Sequence, residues 1–158
     1  MAYRRNLLSV LECNIDDMNP EVFPWVSEKL FTAGARDVWL TPIIMKLGRP
    51  ASCLSVLCDK EKIDSLLSIV FSETTTIGVR LSAVERIELD REKVAVQTPY
   101  GAVELKLAKD EQGNVLNVAP EYSSARKCAC ESGAALKEVY ESAHHAFRTQ
   151  SINLKKYQ

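Results

Sequence analysis

The chain has 158 residues and a formal net charge of −1, with 20 basic against 21 acidic side chains. Hydrophobic residues make up 46% and charged residues 26%, as in an ordinary globular domain that buries a core. The balanced charge argues against a nucleic-acid scaffold, since such domains are usually clearly basic. Neither the apolar core of a signal peptide nor an apolar run long enough for a membrane helix is evident. The composition therefore predicts a soluble, cytoplasmic protein with no nucleic-acid or membrane partner.

The five cysteines also favour a cytoplasmic protein without a disulfide framework, because their number is odd. Cys53 and Cys58 are five residues apart on a predicted strand, so they point to opposite faces. Cys128 and Cys130 are two apart on a predicted helix, which separates them by roughly 200° around its axis. Neither pair can chelate a metal without help from elsewhere. We expect buried, small apolar side chains here, with a cysteine metal site as the alternative.

Residues 1–90 are predicted to form six elements in the order strand, helix, strand, strand, helix, strand. Alternation of apolar and polar residues indicates strands at 7–15, 38–46, 53–58 and 77–89. Asn19-Pro20 and Asp59 are start signals for two helices whose apolar residues repeat at helical spacing. Pro42 within the second strand favours an edge position or a bulge. This order predicts an α+β, ferredoxin-like domain, with a four-stranded antiparallel sheet and two helices on one face.

Residues 91–150 are predicted to form an appendage to this domain. A β-hairpin around the turn Pro99-Tyr100-Gly101 comes first, and a further short strand follows it. Two helices complete the appendage, the first beginning at Pro120 and ending at Gly133. Residues 151–158 are polar, and we expect them to form a disordered tail.

The first group of candidate site residues lies at the end of the first predicted strand. Alternation places Glu12, Asn14 and Asp16 in one column, and Asp17 lies in the following turn. Carboxylate and amide oxygens are hard ligands, which suit Mg²⁺ or Mn²⁺ better than Zn²⁺. Carboxylates this close repel one another, so they need a compensating cation or partner. The alternative is a solvated strand end whose acids cap the following helix.

The second group lies in the turn between the second and third strands, Lys46-Leu47-Gly48-Arg49-Pro50. Gly48 can take a positive φ and expose backbone N–H groups, while Lys46 and Arg49 bring two positive charges to the same turn. Such a turn can bind an anion, although it lacks the length and glycine pattern of a P-loop. A basic surface turn without a ligand is the alternative interpretation.

The third group lies where the second helix ends and the fourth strand begins. It offers three hydroxyl donors in a row, from Thr74, Thr75 and Thr76. Gly78 permits close approach of the backbone, and Arg80 can pair with phosphate oxygens through two N–H groups. The alternative is that the threonines only reflect β propensity at a strand start.

Taken together, these segments resemble the C-terminal portion of the LarC family of nickel-insertion proteins. The resemblance begins with Glu12-Cys13-Asn14-Ile15-Asp16-Asp17-Met18-Asn19-Pro20-Glu21 and continues through residues 33–50. Residues 73–80 follow in the family's order, as do Thr98-Pro99-Tyr100-Gly101 and Ala119-Pro120-Glu121-Tyr122. The resemblance covers nearly the whole chain, but only one portion of that longer family.

The resemblance implies a cyclometallase that inserts nickel, the substrate metal, into pyridinium-3,5-bisthiocarboxylic acid mononucleotide. The implied product is the nickel-pincer cofactor of lactate racemase, with CTP hydrolysed to CMP and pyrophosphate in the presence of Mg²⁺ or Mn²⁺. The implied partners are an N-terminal portion of the same protein and further copies of the chain, as a trimer or a dimer of trimers. A non-catalytic nucleotide-binding regulatory oligomer with ferredoxin-like subunits is the alternative.

The candidate residues acquire specific roles in this setting, as a hypothesis. Asp16 and Asp17 hold the divalent ion with Glu12 as a further ligand, and both aspartates act in catalysis together with Lys46. The nucleotide-binding residues are predicted to be Lys46, Gly48, Arg49, Thr74, Thr75, Thr76 and Arg80. Two positions depart from the family pattern, since Cys13 replaces a usual threonine and Leu47 replaces a frequent second lysine.

Overall fold

The computed structural model describes residues 3–155, and the side chains of residues 3–149. It divides into two compact units, of which the first runs from Arg5 to Arg86 and the second comprises the residues from Ile87 on together with those before Arg5. Within the described residues, no helix combines the length and the apolar character needed to cross a membrane.

The first unit is a four-stranded sheet with two helices, in the strand order β2-β3-β1-β4. Its elements are β1 Arg4–Ile15, α1 Phe23–Thr32, β2 Asp37–Met45, β3 Arg49–Cys58, α2 Ile63–Glu73 and β4 Arg80–Glu88. Both β1 and β2 pair antiparallel with β3. β2 lies at an edge of the sheet, as Pro42 within it predicts. The α+β class and the predicted order of the six elements are confirmed.

One face of this sheet packs against both helices. Leu11 and Ile15 of β1 share a buried cluster with Val26 of α1 and Leu66 of α2, and each of the four is at most 4% exposed. Fully burying a side chain of this kind contributes about 1.5–3 kcal/mol. Because successive side chains of a strand alternate, the polar side chains of β1 between these positions point to the opposite face.

The first helix begins later than the sequence signal predicts. Asn19 accepts a hydrogen bond from the N–H of Glu21 at 3.1 Å, but it caps a short 3-10 turn, Pro20–Val22. α1 begins at Phe23, with Pro24 in its first turn, where a missing N–H loses no bond. In a helix that began at Pro20, the same Pro24 would remove an internal hydrogen bond. Pro24 therefore accounts for the later start.

The second helix also follows a 3-10 turn, Lys60–Lys62, and begins at Ile63. Asp59 occupies the cap position but makes no capping bond with its side chain. Its carboxylate instead accepts two hydrogen bonds of 2.9 Å from Arg36, one from Nε and one from Nη2. This paired guanidinium holds the pKa of the Asp59 carboxyl below its usual range. The pair ties the start of β2 to the approach of α2.

Strand starts differ from the prediction by several residues in three strands, of which β1 begins at Arg4 instead of residue 7. β3 begins at Arg49 instead of residue 53, because the turn before it is tight and Arg49 already pairs with β2. β4 begins at Arg80 instead of residue 77. The hydroxyls of Thr74 and Thr76 donate to nearby backbone carbonyls, at 2.7 and 3.0 Å. Such local bonds compete with strand pairing, so the threonine segment is a loop.

The second unit is a three-stranded antiparallel sheet in the order β5-β6-β7, followed by two helices. Its elements are β5 Asp90–Thr98, β6 Gly101–Lys109, β7 Val115–Pro120, α3 Tyr122–Ser132 and α4 Leu136–Lys155. Its core joins strand residues such as Val103 and Leu105 to Ala125 of α3 and Val139 of α4. The predicted hairpin, short strand and two helices are therefore present.

Two details of this unit differ from prediction. Pro120 ends β7 instead of opening the helix, and α3 starts at Tyr122 with Glu121 as its cap residue. Pro120 is accommodated because a proline at the end of a strand removes no central ladder bond. The helix α4 continues to Lys155, through the first part of the predicted tail, since no glycine or proline follows Gly133. Residues 156–158 of that predicted tail lie outside the described residues.

The turn Thr98-Pro99-Tyr100-Gly101 has a structural role within this unit. The hydroxyl of Thr98 donates to the carbonyl of Gly101 at 2.8 Å and accepts from the N–H of Tyr100 at 3.1 Å. Gly101 has a φ of +119°, and a Cβ at this position would lie 3.2 Å from Sγ of Cys128. Both the backbone conformation and the packing of α3 against the turn therefore call for glycine.

Candidate functional site

A column of polar side chains lies on the face of the first sheet that points away from α1 and α2. It contains Glu12 and Asn14, which pair across the sheet with Ser55 and Cys53 of β3. Ser55 is only 1% exposed, and its hydroxyl donates to Oε1 of Glu12 at 3.4 Å. The predicted column is therefore joined by two residues of β3 that the sequence analysis did not single out. The antiparallel register of β1 and β3 is the signal that could have found them.

Asp16 lies just beyond the end of β1 and meets the turn between β2 and β3. Nη1 of Arg49 donates to Oδ2 of Asp16 at 3.0 Å. The Asp16 side chain is 18% exposed and that of Arg49 is 56% exposed. This contact brings the first and second groups of candidate residues together.

The turn itself has an unusual backbone. Gly48 has a φ of +70°, as its predicted role requires, and Leu47 has a φ of +61°. Among the described residues other than glycine, Leu47 alone has a positive φ, and it is 85% exposed. Lys46 is exposed and forms no ion pair within the described part of the chain. The turn thus presents one unpaired and one paired cation to solvent.

The threonine loop, residues 74–79 between α2 and β4, approaches the acidic residues at the end of β1. The hydroxyl of Thr75 forms a short hydrogen bond to Oδ1 of Asp17. The hydroxyl of Thr74 donates to the last turn of α2 and that of Thr76 donates to the backbone of its own loop, so neither is directed at the acidic residues. Gly78 has no positive φ, and a Cβ there would meet nothing within 4 Å. The structure therefore gives no steric reason for glycine at that position.

Arg80 joins the third group to the polar column. Its Nη2 donates to Oδ1 of Asn14 at 2.9 Å and lies 3.7 Å from Sγ of Cys53. Arg80 is the first residue of β4, which is the neighbour of β1 in the sheet. Three segments that are far apart in the chain therefore meet at the end of β1.

The three carboxylates of the predicted metal site do not converge on one point. Glu12, Asp16 and Asp17 bond to Ser55, Arg49 and Thr75 respectively. Within the described residues, no group of three His, Cys, Asp or Glu side chains is placed to hold a metal ion. The predicted three-carboxylate ligand set is therefore not formed by this chain alone. Asp16 and Asp17 can still offer oxygen ligands to a hydrated cation that arrives with its own phosphate ligands.

The cysteines of the described residues are all free, and four of the five are buried. Burial raises the pKa of the Cys13 thiol, although a hydrogen bond with Thr76 opposes the rise. Burial likewise raises the pKa of Cys58. A thiol that stays protonated is a poor metal ligand, because the thiolate is the binding form. These two cysteines behave as small apolar side chains, in line with the sequence prediction.

A second polar cluster lies between α1 and α2, next to the threonine loop. The carboxylate of Glu73, the last residue of α2, accepts a hydrogen bond of 2.9 Å from Nε1 of Trp25 and one of 2.6 Å from Nζ of Lys29. Nζ of Lys29 also lies 4.7 Å from the centroid of the Trp25 ring. The hydrogen bonds from Lys29 and Trp25 hold the pKa of Glu73 below its usual range. The sequence analysis missed this cluster, although Trp25 and Lys29 are four residues apart on one helix.

Comparison with known proteins finds similar sequences over most of the chain. A sequence model of a family described as nickel insertion protein matches residues 1–140. A protein of Thermotoga petrophila, named pyridinium-3,5-bisthiocarboxylic acid mononucleotide nickel insertion protein, is 44% identical over 135 residues. That match covers 85% of this chain and 34% of the relative. A protein of the same name from Clostridium acetobutylicum is also 44% identical over 135 residues, which are 85% of this chain and 32% of the relative. The chain thus spans about a third of the length of these curated relatives.

Solved structures show the same similarity. One is described as LarC2, the C-terminal domain of a cyclometallase involved in the synthesis of the NPN cofactor of lactate racemase, in its apo form. It is 36% identical, with a TM-score of 0.87, and the match covers 92% of this chain and 99% of that one. The protein MK0293 of Methanopyrus kandleri shares the fold at 23% identity, with a TM-score of 0.59 and coverage of 92% and 91%.

Proposed function

Since this chain belongs to the nickel insertion protein family, we propose that its first compact unit binds CTP together with Mg²⁺ or Mn²⁺ for a nickel insertion reaction. The acceptor is pyridinium-3,5-bisthiocarboxylic acid mononucleotide, the compound in the names of the curated relatives. Nickel is the substrate metal, and the product is the nickel-pincer cofactor of lactate racemase. CTP is converted to CMP and pyrophosphate in the course of the reaction. The protein acts in the cytoplasm.

The observation that carries this proposal is the meeting of three distant segments at the end of β1. Asp16 contacts Arg49, Asp17 contacts Thr75, and Asn14 contacts Arg80. Two guanidinium groups and a hydroxyl are thereby held beside two carboxylates. Guanidinium groups match the planar, paired acceptor geometry of phosphate, and carboxylates match the preference of Mg²⁺ for oxygen. This combination suits a nucleoside triphosphate that brings a divalent cation.

The contacts within the site are of a kind that a ligand can exchange. The pair of Arg49 and Asp16 is solvated on the arginine side, and exposed ion pairs contribute only about 0–1 kcal/mol. A phosphate oxygen can therefore replace Asp16 as the partner of Arg49 at little cost. Asp16 would then be released to bind the cation together with Asp17. The ligand thus replaces the ion pair of Arg49 and Asp16 with two others, Arg49 with phosphate and Asp16 with the cation.

Turnover at the α-phosphorus needs positioning and charge stabilisation from this site. Lys46, unpaired at the tip of the turn, is free to follow the charge that develops on the leaving pyrophosphate. Arg49 and Arg80 hold the remaining phosphate oxygens, and the hydroxyl of Thr75 donates a hydrogen bond. The divalent cation supplies Lewis-acid charge at the phosphoryl oxygens.

The test is titration calorimetry of CTP in the presence of Mg²⁺ with two variants, Lys46→Ala and Arg49→Ala. Each loses a cation close to the phosphates, so we expect a Kd at least about tenfold weaker than that of the wild type. Lys127→Ala, which removes an exposed lysine of α3, is the matched control and should bind as the wild type does. Unchanged affinity in both turn variants would show that the phosphates bind elsewhere.

A second candidate is a nucleotide-binding regulatory oligomer that does not turn CTP over. It is favoured by the chemistry of the gathered side chains, which are suited to holding an anion by ion pairs and hydrogen bonds. Incubation of the protein with CTP and Mn²⁺, followed by chromatography for CMP, separates the two. CMP formation supports the cyclometallase. Binding without CMP supports the regulator only when the N-terminal portion of the same protein is also present, since this chain spans about a third of the curated relatives and can hold the nucleotide-binding part alone. In either case we propose a homo-oligomer, a trimer or a dimer of trimers, which works with the N-terminal portion of the same protein.

A further inference from the structure

Glu73 stands between the helices and the proposed nucleotide site. It is the last residue of α2, and its carboxylate is bonded to two side chains of α1, Trp25 and Lys29. The side chain of Glu73 is 24% exposed, and that of Lys29 is 38% exposed. The carboxylate thus anchors the end of α2 to the middle of α1, at the point where the threonine loop begins.

The chain on both sides of this anchor leads into the site. α1 begins at Phe23, a few residues after Asp17, so a short stretch of chain connects the helix to Asp17. The loop that follows Glu73 places Thr75 against the same Asp17. The contacts therefore form a closed ring, which runs from Asp17 through α1 to Glu73 and through Thr75 back to Asp17. One link in this ring, the bond of Glu73 to α1, uses none of the side chains assigned to the nucleotide or its cation.

The loop also shows how the position of Glu73 is transmitted. Thr74 bonds to the last turn of α2 through both its N–H and its hydroxyl, at 3.1 and 2.7 Å from the carbonyl of Val70. The N–H of Thr76 then donates to the hydroxyl of Thr74 at 3.3 Å. Thr75 lies between these two fixed residues. A shift at the end of α2 therefore moves the hydroxyl of Thr75 with it.

We propose that Glu73 is a positioning residue, which fixes Thr75 opposite Asp17 by holding the end of α2 against Trp25 and Lys29. Its consequence for ligand affinity rests on the proposed function, since Thr75 and Asp17 are there assigned to the nucleotide and its cation. Glu73 itself is assigned to neither the nucleotide nor the cation. An ordinary exposed ion pair would affect stability a little and leave the loop unchanged.

The experiment uses the whole chain with Glu73→Gln, which keeps the shape of the side chain and removes its charge. The first readout is amide hydrogen exchange at Thr74 and Thr76, measured by NMR without any nucleotide. We expect exchange at least about tenfold faster than in the wild type, because the loop opens when the end of α2 is released. Glu85→Gln is the matched control, since it removes an exposed ion pair with Arg5 in the same unit and should leave these amides unchanged.

The second readout is the Kd for CTP with Mg²⁺ in a double-mutant cycle with Thr75→Val. If Glu73 acts through Thr75, Glu73→Gln weakens binding about fivefold in the wild type and has no further effect in Thr75→Val. Additive losses, or unchanged exchange at Thr74 and Thr76, would overturn the positioning role. Absence of CTP binding by the wild type would overturn the proposed function instead, and the exchange result would still decide whether Glu73 fixes the loop.

Discussion

Among the single residues of the site, Asp16 is the main one, because it can pair either with Arg49 or with the proposed cation. In this structure the carboxylate is bonded to Arg49. A cation and a phosphate together would replace that one pair with two. If phosphate binds at Arg49 as we propose, Asp16 would oppose that binding when no cation is present, because it occupies Arg49 and repels the anion.

Replacement of Asp16 by asparagine should separate these two effects. In Asp16→Asn, Arg49 is released and one negative charge is lost, so CTP in EDTA should bind a few-fold more tightly than to the wild type. CTP with Mg²⁺ should bind less tightly, because a ligand of the cation is gone. Titration calorimetry under the two conditions measures both constants, with Asp64→Asn on the exposed side of α2 as the control. A parallel change in both constants would contradict the role of Asp16 as a cation ligand.

Some contacts of single residues in the site could be predicted from the sequence, and others could not. Alternation placed Glu12, Asn14 and Asp16 in one column, and the charges near them pointed to partners. The bond of Thr75 to Asp17 depends on where α2 stops, which local residue preferences fix only to within a few residues. Spacing also suggested three converging carboxylates, but each found a nearer partner in the fold.

At the scale of the elements, side chains that bond to nearby backbone or to one another decide where helices and strands begin. Pro24 delays α1, and the threonine hydroxyls delay β4, although each segment carries the pattern of its predicted element. Asp59 is another case, since it sits where a cap is expected and bonds to Arg36. The first two competitions are local and the third is tertiary, and the hydrophobic pattern registers none of them, so it predicts the elements but not their ends.

The bond of Asp59 to Arg36 gives a prediction for stability against pH. The pKa of Asp59 is lower in the folded protein than in the unfolded chain, so the pair stabilises the fold above the unfolded pKa, and this stability is lost as the pH falls through the folded pKa. Because both side chains are more than a third exposed, we expect Asp59→Asn to lower the free energy of unfolding at pH 7 by no more than about 1 kcal/mol. Urea unfolding at pH 7 and near pH 2 measures the difference. A loss of the same size at both pH values would show that the charge of Asp59 is not its cause.

At the scale of the whole molecule, hydrophobic alternation carried most of the information about the fold. The βαββαβ order of the first unit and the hairpin-and-helix order of the second both followed from it. The function could not be derived in the same way, because residue types alone left each polar turn open to an ordinary structural explanation. The order of the motifs indicated a family, and the match to the nickel insertion family over residues 1–140 shows it.

Our main proposal places CTP and its cation at the end of β1 in the first unit. It is tested most directly by paramagnetic broadening of backbone amide signals when Mn²⁺ is added to the protein with CTP. Our account predicts that the signals of Asp16, Asp17 and Thr75 disappear first, since the ion lies next to them, and that Mg²⁺ in excess restores them. Broadening centred on residues of the second unit, or broadening at Asp16 and Asp17 that is the same without CTP, would contradict it.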